Sequence, residues 1–131
     1  MSTARDICTK AVRRLIPAIG QDLSADEATV VLDALNKMMS SWAAKGVDVN
    51  HYPLDLESPF PLEEMHEQGV IALLAMRIAG DFGITDAALP SGVVRDADEG
   101  WTGLQAAYIR PGKVRFDGGL ARMPSQRLLE G

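Results

Sequence analysis

Apolar residues along this chain recur mostly at intervals of three and four, the spacing that gathers side chains on one face of a helix. The clearest case is "SADEATVVLDALNKMMSSWAAKG" at residues 24–46, where Ala28, Val31, Leu32, Leu35, Met38, Met39 and Trp42 form a single stripe. Ser24 and Glu27 make a capping-box pair, in which each side chain accepts a backbone N–H that the first turn leaves without a partner. Asp26 and Glu27 suit the positive end of the helix dipole, and Lys45-Gly46 supplies a stop. An earlier helix is predicted within "STARDICTKAVRRLIPAIG", capped by Ser2 or Thr3, with Ile7, Ala11 and Leu15 on one face. Pro17 should end it, ahead of a turn at Gly20.

A third helix reads from Pro61 through "PLEEMHEQGVIALLAMRIAGDFG", with Glu63 and Glu64 near its start. From Val70 to Ala79 it is apolar nearly all round, the mark of the most buried helix in a bundle. Gly69 and Gly80 are candidates for close helix contact, at about 1 kcal/mol each against alanine. A fourth helix runs from about Ser91 to Tyr108, with Val93, Val94, Ala97, Trp101, Leu104 and Tyr108 sharing a face. Gly92, Gly100 and Gly103 weaken it in isolation, so packing must hold it. Between the second and third helices, "VDVNHYPLDLESPFP" is broken by Pro53, Pro59 and Pro61, which predicts a loop with at most a short hairpin. The expected fold is all-α: a small four-helix bundle-like body over residues 1–109, with the second and third helices antiparallel at its centre. A Pro-rich loop joins those two helices, and an extended C-terminal arm occupies residues 110–131.

Charge divides the chain at the same place. The net charge is −5, yet residues 1–109 carry 8 Lys/Arg against 16 Asp/Glu, a balance of −8, while residues 110–131 carry 5 against 2, a balance of +3. An acidic body is poorly suited to wrapping duplex DNA, which needs clustered cations. The apolar fraction of 47% is ordinary for a globular protein, and the single cysteine, Cys8, excludes an internal disulfide. The N-terminus lacks the apolar run of a secretory signal, and the longest strongly apolar window, "GVIALLAM" at 69–76, is too short to span a bilayer. The expectation is a soluble protein made in a cytoplasm, with no membrane partner.

Motifs for catalysis and metal binding do not assemble. "HEQGV" at 66–70 has His66 and Glu67 but no second histidine of a zinc-protease helix. Two histidines and one cysteine, widely spaced, make a poor metal set. No phosphate-binding glycine loop and no G-x-S-x-G elbow is present. Glu63, Glu64 and Glu67 could in principle supply a glycosidase carboxylate, but they read as a solvated first turn favoured by the helix dipole, since loose acid pairs are common and the specific geometry is rare. Cys8 reads as a small buried residue rather than a nucleophile. Met38, Met39 and Trp42 read as core. No catalytic residue, metal site or cofactor is expected.

The order of elements and two motifs carry a resemblance. The first motif is leucine, two methionines and a tryptophan closing a helix before Lys-Gly, here Leu35, Met38, Met39, Trp42, Lys45 and Gly46. The second is an acidic-start helix that ends "RIAGDFGI", here Arg77 to Ile84. Over about residues 3–110, this resembles the head-to-tail connector adaptors of tailed bacteriophages, nearest the packaged-DNA stabilisation or tail accessory proteins of short-tailed phages. The glycines at 92, 100 and 103 depart from the family's fourth helix, which tends to be richer in alanine and basic residues. The resemblance implies a structural virion protein at the head–tail interface, made in the bacterial host cytoplasm. It would form a dodecameric ring on the portal protein, close the DNA-filled head and give downstream tail proteins a platform, with proximity to the packaged DNA allowed.

In such adaptors the C-terminal segment leaves the body and extends along the portal. The arm here has the composition for it. Arg110, Lys113, Arg115, Arg122 and Arg127 supply charge, and Phe116, Met123 and Leu128 supply spaced apolar anchors. Arginine suits bidentate contact with carboxylates, and isolated anchors need a partner's surface to leave water. These eight residues are the expected contacts to portal or a neighbouring subunit. Two other functions compete with the adaptor role. A terminase-small-subunit-like DNA-binding packaging protein needs a basic helix face, and the most basic patch is Lys10, Arg13 and Arg14. A small cell-wall glycan hydrolase needs a second, well-placed carboxylate beside Glu63 or Glu67.

Overall fold

The computed structural model describes residues 2–16 and 23–109, and over these the protein is all-α. Four α-helices make the body: α1 (Ala4–Leu15), α2 (Ala25–Trp42), α3 (Glu67–Ile78) and α4 (Ser91–Tyr108). Short 3₁₀ turns extend α2 over Ala43–Lys45, precede α3 over Glu64–His66 and follow it over Ala79–Phe82. Pro17, Gly20 and all eight arm residues from Arg110 to Leu128 lie outside the described residues. Among the described residues, no helix is long and apolar enough to cross a membrane.

Both helix starts follow the sequence. Thr3 and Asp6 form a reciprocal capping box on α1, and Ser24 and Glu27 form another on α2. The remaining first-turn amides of α1 are satisfied by the loop between α2 and α3. The Ala4 N–H donates to the Ser58 carbonyl and the Arg5 N–H to the Leu56 carbonyl, each at 2.9 Å. The loop is therefore a strap across the head of α1, and not a hairpin: its two isolated bridges among the described residues, Thr3 with Pro59 and Val47 with Ile109, both run to residues outside it. Leu54, Phe60 and Leu62 turn inward from it and join the core. Asn36 on α2 pins the strap as a second strand would. Its Oδ1 accepts from the Leu54 N–H at 2.8 Å, and its Nδ2 donates to the Leu54 carbonyl at 3.1 Å. An asparagine inside a helix is otherwise unfavourable, and this pair of bonds is what it gains there.

The third helix begins later than its sequence suggests. Pro61 to Glu63 stay outside it, because Leu62 is drawn into the core and Glu63 is extended. The pairing at the centre also differs from expectation. α3 makes its most extensive contact with α4, then with α1, and only a smaller one with α2. Two glycines are responsible. A Cβ built on Gly69 would lie 2.6 Å from the Gly100 Cα, so the two backbones meet with no room for a side chain. Gly80, the other candidate for close contact, has nothing near it. The fourth helix is continuous in spite of its glycines, with Val93, Ala97 and Leu104 buried.

The stops after α2 and α3 have one form. Gly46 and Gly83 adopt left-handed φ of 86° and 75°, a conformation that costs glycine no Cβ clash. The Val47 N–H then reaches back to the Trp42 carbonyl at 3.0 Å, and the Ile84 N–H to the Ala79 carbonyl at 2.9 Å.

Candidate functional site

The C-terminal ends of α2 and α3 and the first half of α4 enclose an open cleft of about 490 Å³. Helical spacing builds each wall. Met38, Trp42 and Lys45 come from α2 and its 3₁₀ extension, Leu73, Met76 and Arg77 from α3, and Val94, Ala97, Asp98 and Trp101 from α4. The floor is apolar and aromatic. Trp42 is buried and meets Trp101 at 6.0 Å between ring centroids with a tilt of 54°. The Lys45 Nζ sits over the Trp101 ring at 5.7 Å from its centroid, within cation–π range. Val94 belongs here and not to the core. It lies one residue, about 100° of helix turn, away from Val93, and it is 44% exposed where Val93 is fully buried.

The cleft's charge is unlike that of the body around it. Lys45, Arg77 and Arg95 line it, three of the eight cations in residues 1–109, with Asp98 as the one acidic lining residue. Arg77 makes no ion pair among the described residues, while Arg95 reaches Asp96 at 3.5 Å. Asp96 in turn binds Arg14 at 3.0 Å and ties α1 to α4. That pair takes one cation out of the Lys10, Arg13, Arg14 patch on which DNA binding by α1 would depend.

The cleft also collects both motifs of the connector resemblance. Met38, Trp42 and Lys45 come from the first and Arg77 from the second, and they line one concavity. This meeting was not legible in the sequence, where Met38 and Trp42 are fully explained as core.

The acidic cluster lies at the other end of α3. Glu63 and Glu64 are exposed ahead of the helix, and Glu67 in its first turn accepts a hydrogen bond from the Ser2 hydroxyl at 2.7 Å. With Phe60 and Leu62 they line a hollow of about 290 Å³. His66 is buried and packs against Tyr108, with ring centroids 5.5 Å apart and planes tilted by 57°. His51 lies in the strap, where burial lowers its pKa. Among the described residues, no three His, Cys, Asp or Glu side chains are grouped to hold a metal ion.

Cys8 is fully buried on α1, and burial pushes its thiol up to about 12, against the smaller opposing pull of Arg5. A thiol so protonated and enclosed should not react with an exposed-thiol reagent such as dithionitrobenzoate at pH 8. Labelling should appear only in denaturant, at the midpoint of the helix unfolding curve. Fast labelling of the native protein would place Cys8 at the surface.

No protein-family model matches the chain, and no curated protein matches it.

Proposed function

We propose that this chain is a head-to-tail connector adaptor that assembles as a ring on the portal of a tailed phage, closes the filled head and presents a platform to the tail. The observation that carries this reading is the convergence of the two connector-like motifs on one cleft. Residues 42–47 and 77–84, separated by the strap and most of α3, both end helices in left-handed glycine stops and both contribute to that concavity. An all-α body in which a Pro-rich strap joins α2 to α3 is also what the resemblance implies.

The position of the residues just before the arm supports a role for it. Ile109 pairs with Val47 in an isolated bridge, and the Asp48 N–H donates to the Tyr108 carbonyl at 3.1 Å. Ile109, the last described residue, therefore lies beside the end of the first motif. From there Arg115, Arg122 and Arg127 would meet portal carboxylates, and Phe116, Met123 and Leu128 would enter shallow apolar pockets, with Arg110 and Lys113 adding charge near the root.

Electron microscopy of the protein mixed with its cognate portal ring is the test. The full chain should add a second ring of density to the portal. A chain truncated after Arg110 should keep its helical circular dichroism and its melting temperature and lose portal binding. A full chain that leaves the portal bare, and instead binds duplex DNA with steep salt dependence, would replace this reading with the packaging-protein one.

A further inference from the structure

Met65 is the most exposed large hydrophobic residue described, at 78%. It stands on the 3₁₀ turn before α3, directly after exposed Glu63 and Glu64, and lines a shallow hollow with Gly69 and the exposed Glu99 of α4. The turn is held rigid. The His66 N–H donates to the Glu63 carbonyl at 2.9 Å, and the buried His66 ring packs on Tyr108. His66 thus anchors the segment while Met65 is left in solvent. This apolar knob has three exposed carboxylates near it, Glu63 and Glu64 just before it in the chain and Glu99 across the hollow, and it has a complement on the same molecule.

That complement is the cleft. Its floor of Trp42 and Trp101 suits a thioether, which packs well on aromatic rings, and Met76 and Val94 add exposed apolar surface. Lys45, Arg77 and Arg95 around it would face the three glutamates. One molecule cannot satisfy both. Met65 and Arg77 are twelve residues apart along one helical run, roughly 18 Å at the α-helical rise. We propose that the Met65 knob of one copy enters the α2–α3–α4 cleft of the next, so that copies join head to tail.

A contact between two different patches is heterologous, and repetition of it yields a ring where the rotation closes. The proposal thus supplies the subunit contact that the adaptor reading needs, and rests on that reading only for the closure of the ring. One knob and one cleft per contact, on a body that carries net negative charge, make a weak joint. Association of the free protein should be slight and should fade with added salt.

Site-directed cross-linking of the protein alone tests the contact. Met65→Cys and Met76→Cys place thiols on knob and cleft, and the buried Cys8 does not compete. With a short bis-maleimide, the double variant should give a ladder of dimers, trimers and larger species. A mixture of the two single variants should stop at dimers joined from residue 65 to residue 76, and each single variant alone should stay monomeric. Adding Arg77→Glu, or 0.5 M salt, should reduce the ladder at least tenfold. Two results would overturn the proposal. One is a ladder no stronger than that of a Tyr52→Cys, Met76→Cys control of equal helical content. The other is Met65→Cys linking to itself, which means a two-fold contact. Portal binding without a ladder removes this contact and leaves the adaptor reading standing; a ladder without portal binding does the reverse.

Discussion

Gly100→Ala should destabilise the protein by about 3 kcal/mol, at the upper end of what overpacking costs, although alanine is the better helix former by about 1 kcal/mol. The two effects oppose, and geometry decides between them. A Cβ on Gly100 collides with the Gly69 Cα and comes within 3.1 Å of its carbonyl carbon and 3.3 Å of its oxygen. These are backbone atoms inside a helix, so no rotamer change relieves the clash. α3 and α4 must part instead, along their most extensive contact, at the expense of the core to which both helices contribute, Val70 and Leu74 from α3 and Val93 and Ala97 from α4. Gly69→Ala should behave alike, since its Cβ meets the Gly100 Cα at 2.6 Å. Gly103 is the control. It lies one turn further along the same helix with nothing within 4 Å of its Cβ position. Gly103→Ala should therefore stabilise, by about 0.5–1 kcal/mol. Thermal melts of the three variants read the contrast. If Gly100→Ala raised the midpoint as Gly103→Ala does, the two helices would not touch at their backbones.

Gly100 also shows where sequence pattern reaches its limit. Local propensity makes each glycine of α4 a weak point, and in that respect residues 92, 100 and 103 are equivalent. What separates Gly100 from Gly103 is an element more than thirty residues away, and periodicity carries no information about which stripes meet. The same gap explains the central pairing. Apolar stripes on α2 and α3 mark both as buried, but the partner of α3 is chosen by the Gly69–Gly100 approach. Where the physics is local, the chain is legible. The capping boxes at Thr3 and Ser24, the stop at Gly46 and the extent of α4 depend on neighbours within a turn or so, and they stand where the residues put them. The late start of α3 is intermediate: Pro61 and two glutamates make a good helix opening, but burial of Leu62 outweighs it. The cleft was visible only as parts. Its tryptophans read as members of two separate apolar stripes, Lys45 as part of a helix stop and Arg77 as part of a motif, and nothing local joins them because they come from three different helices.

Trp42→Ala should be among the costliest single changes, at about 3–5 kcal/mol. Trp42 closes α2, is 2% exposed, and packs between the core side of the helix and the Trp101 ring. Truncation removes one of the two tryptophan side chains, the largest type in the molecule, and leaves a void that meets the cleft. The residues around it are fixed on three helices, so collapse can recover little of the lost contact. Small domains have total stabilities of roughly 5–15 kcal/mol, so this loss is a large share, and it corresponds to a fall in melting temperature of well over 10 °C for a body of this size. Trp42→Phe keeps most of the ring and should lose much less. Fluorescence separates the two tryptophans. In a Trp101→Phe background the emission of Trp42 should lie to the blue and resist quenching by iodide; in a Trp42→Phe background the partly exposed Trp101 should emit further to the red. A melt unchanged by Trp42→Ala, with Trp42 open to iodide, would put this residue on the surface and leave the cleft without its floor. It would remove the knob-in-cleft contact as well, because Met65 would then have no aromatic surface to enter.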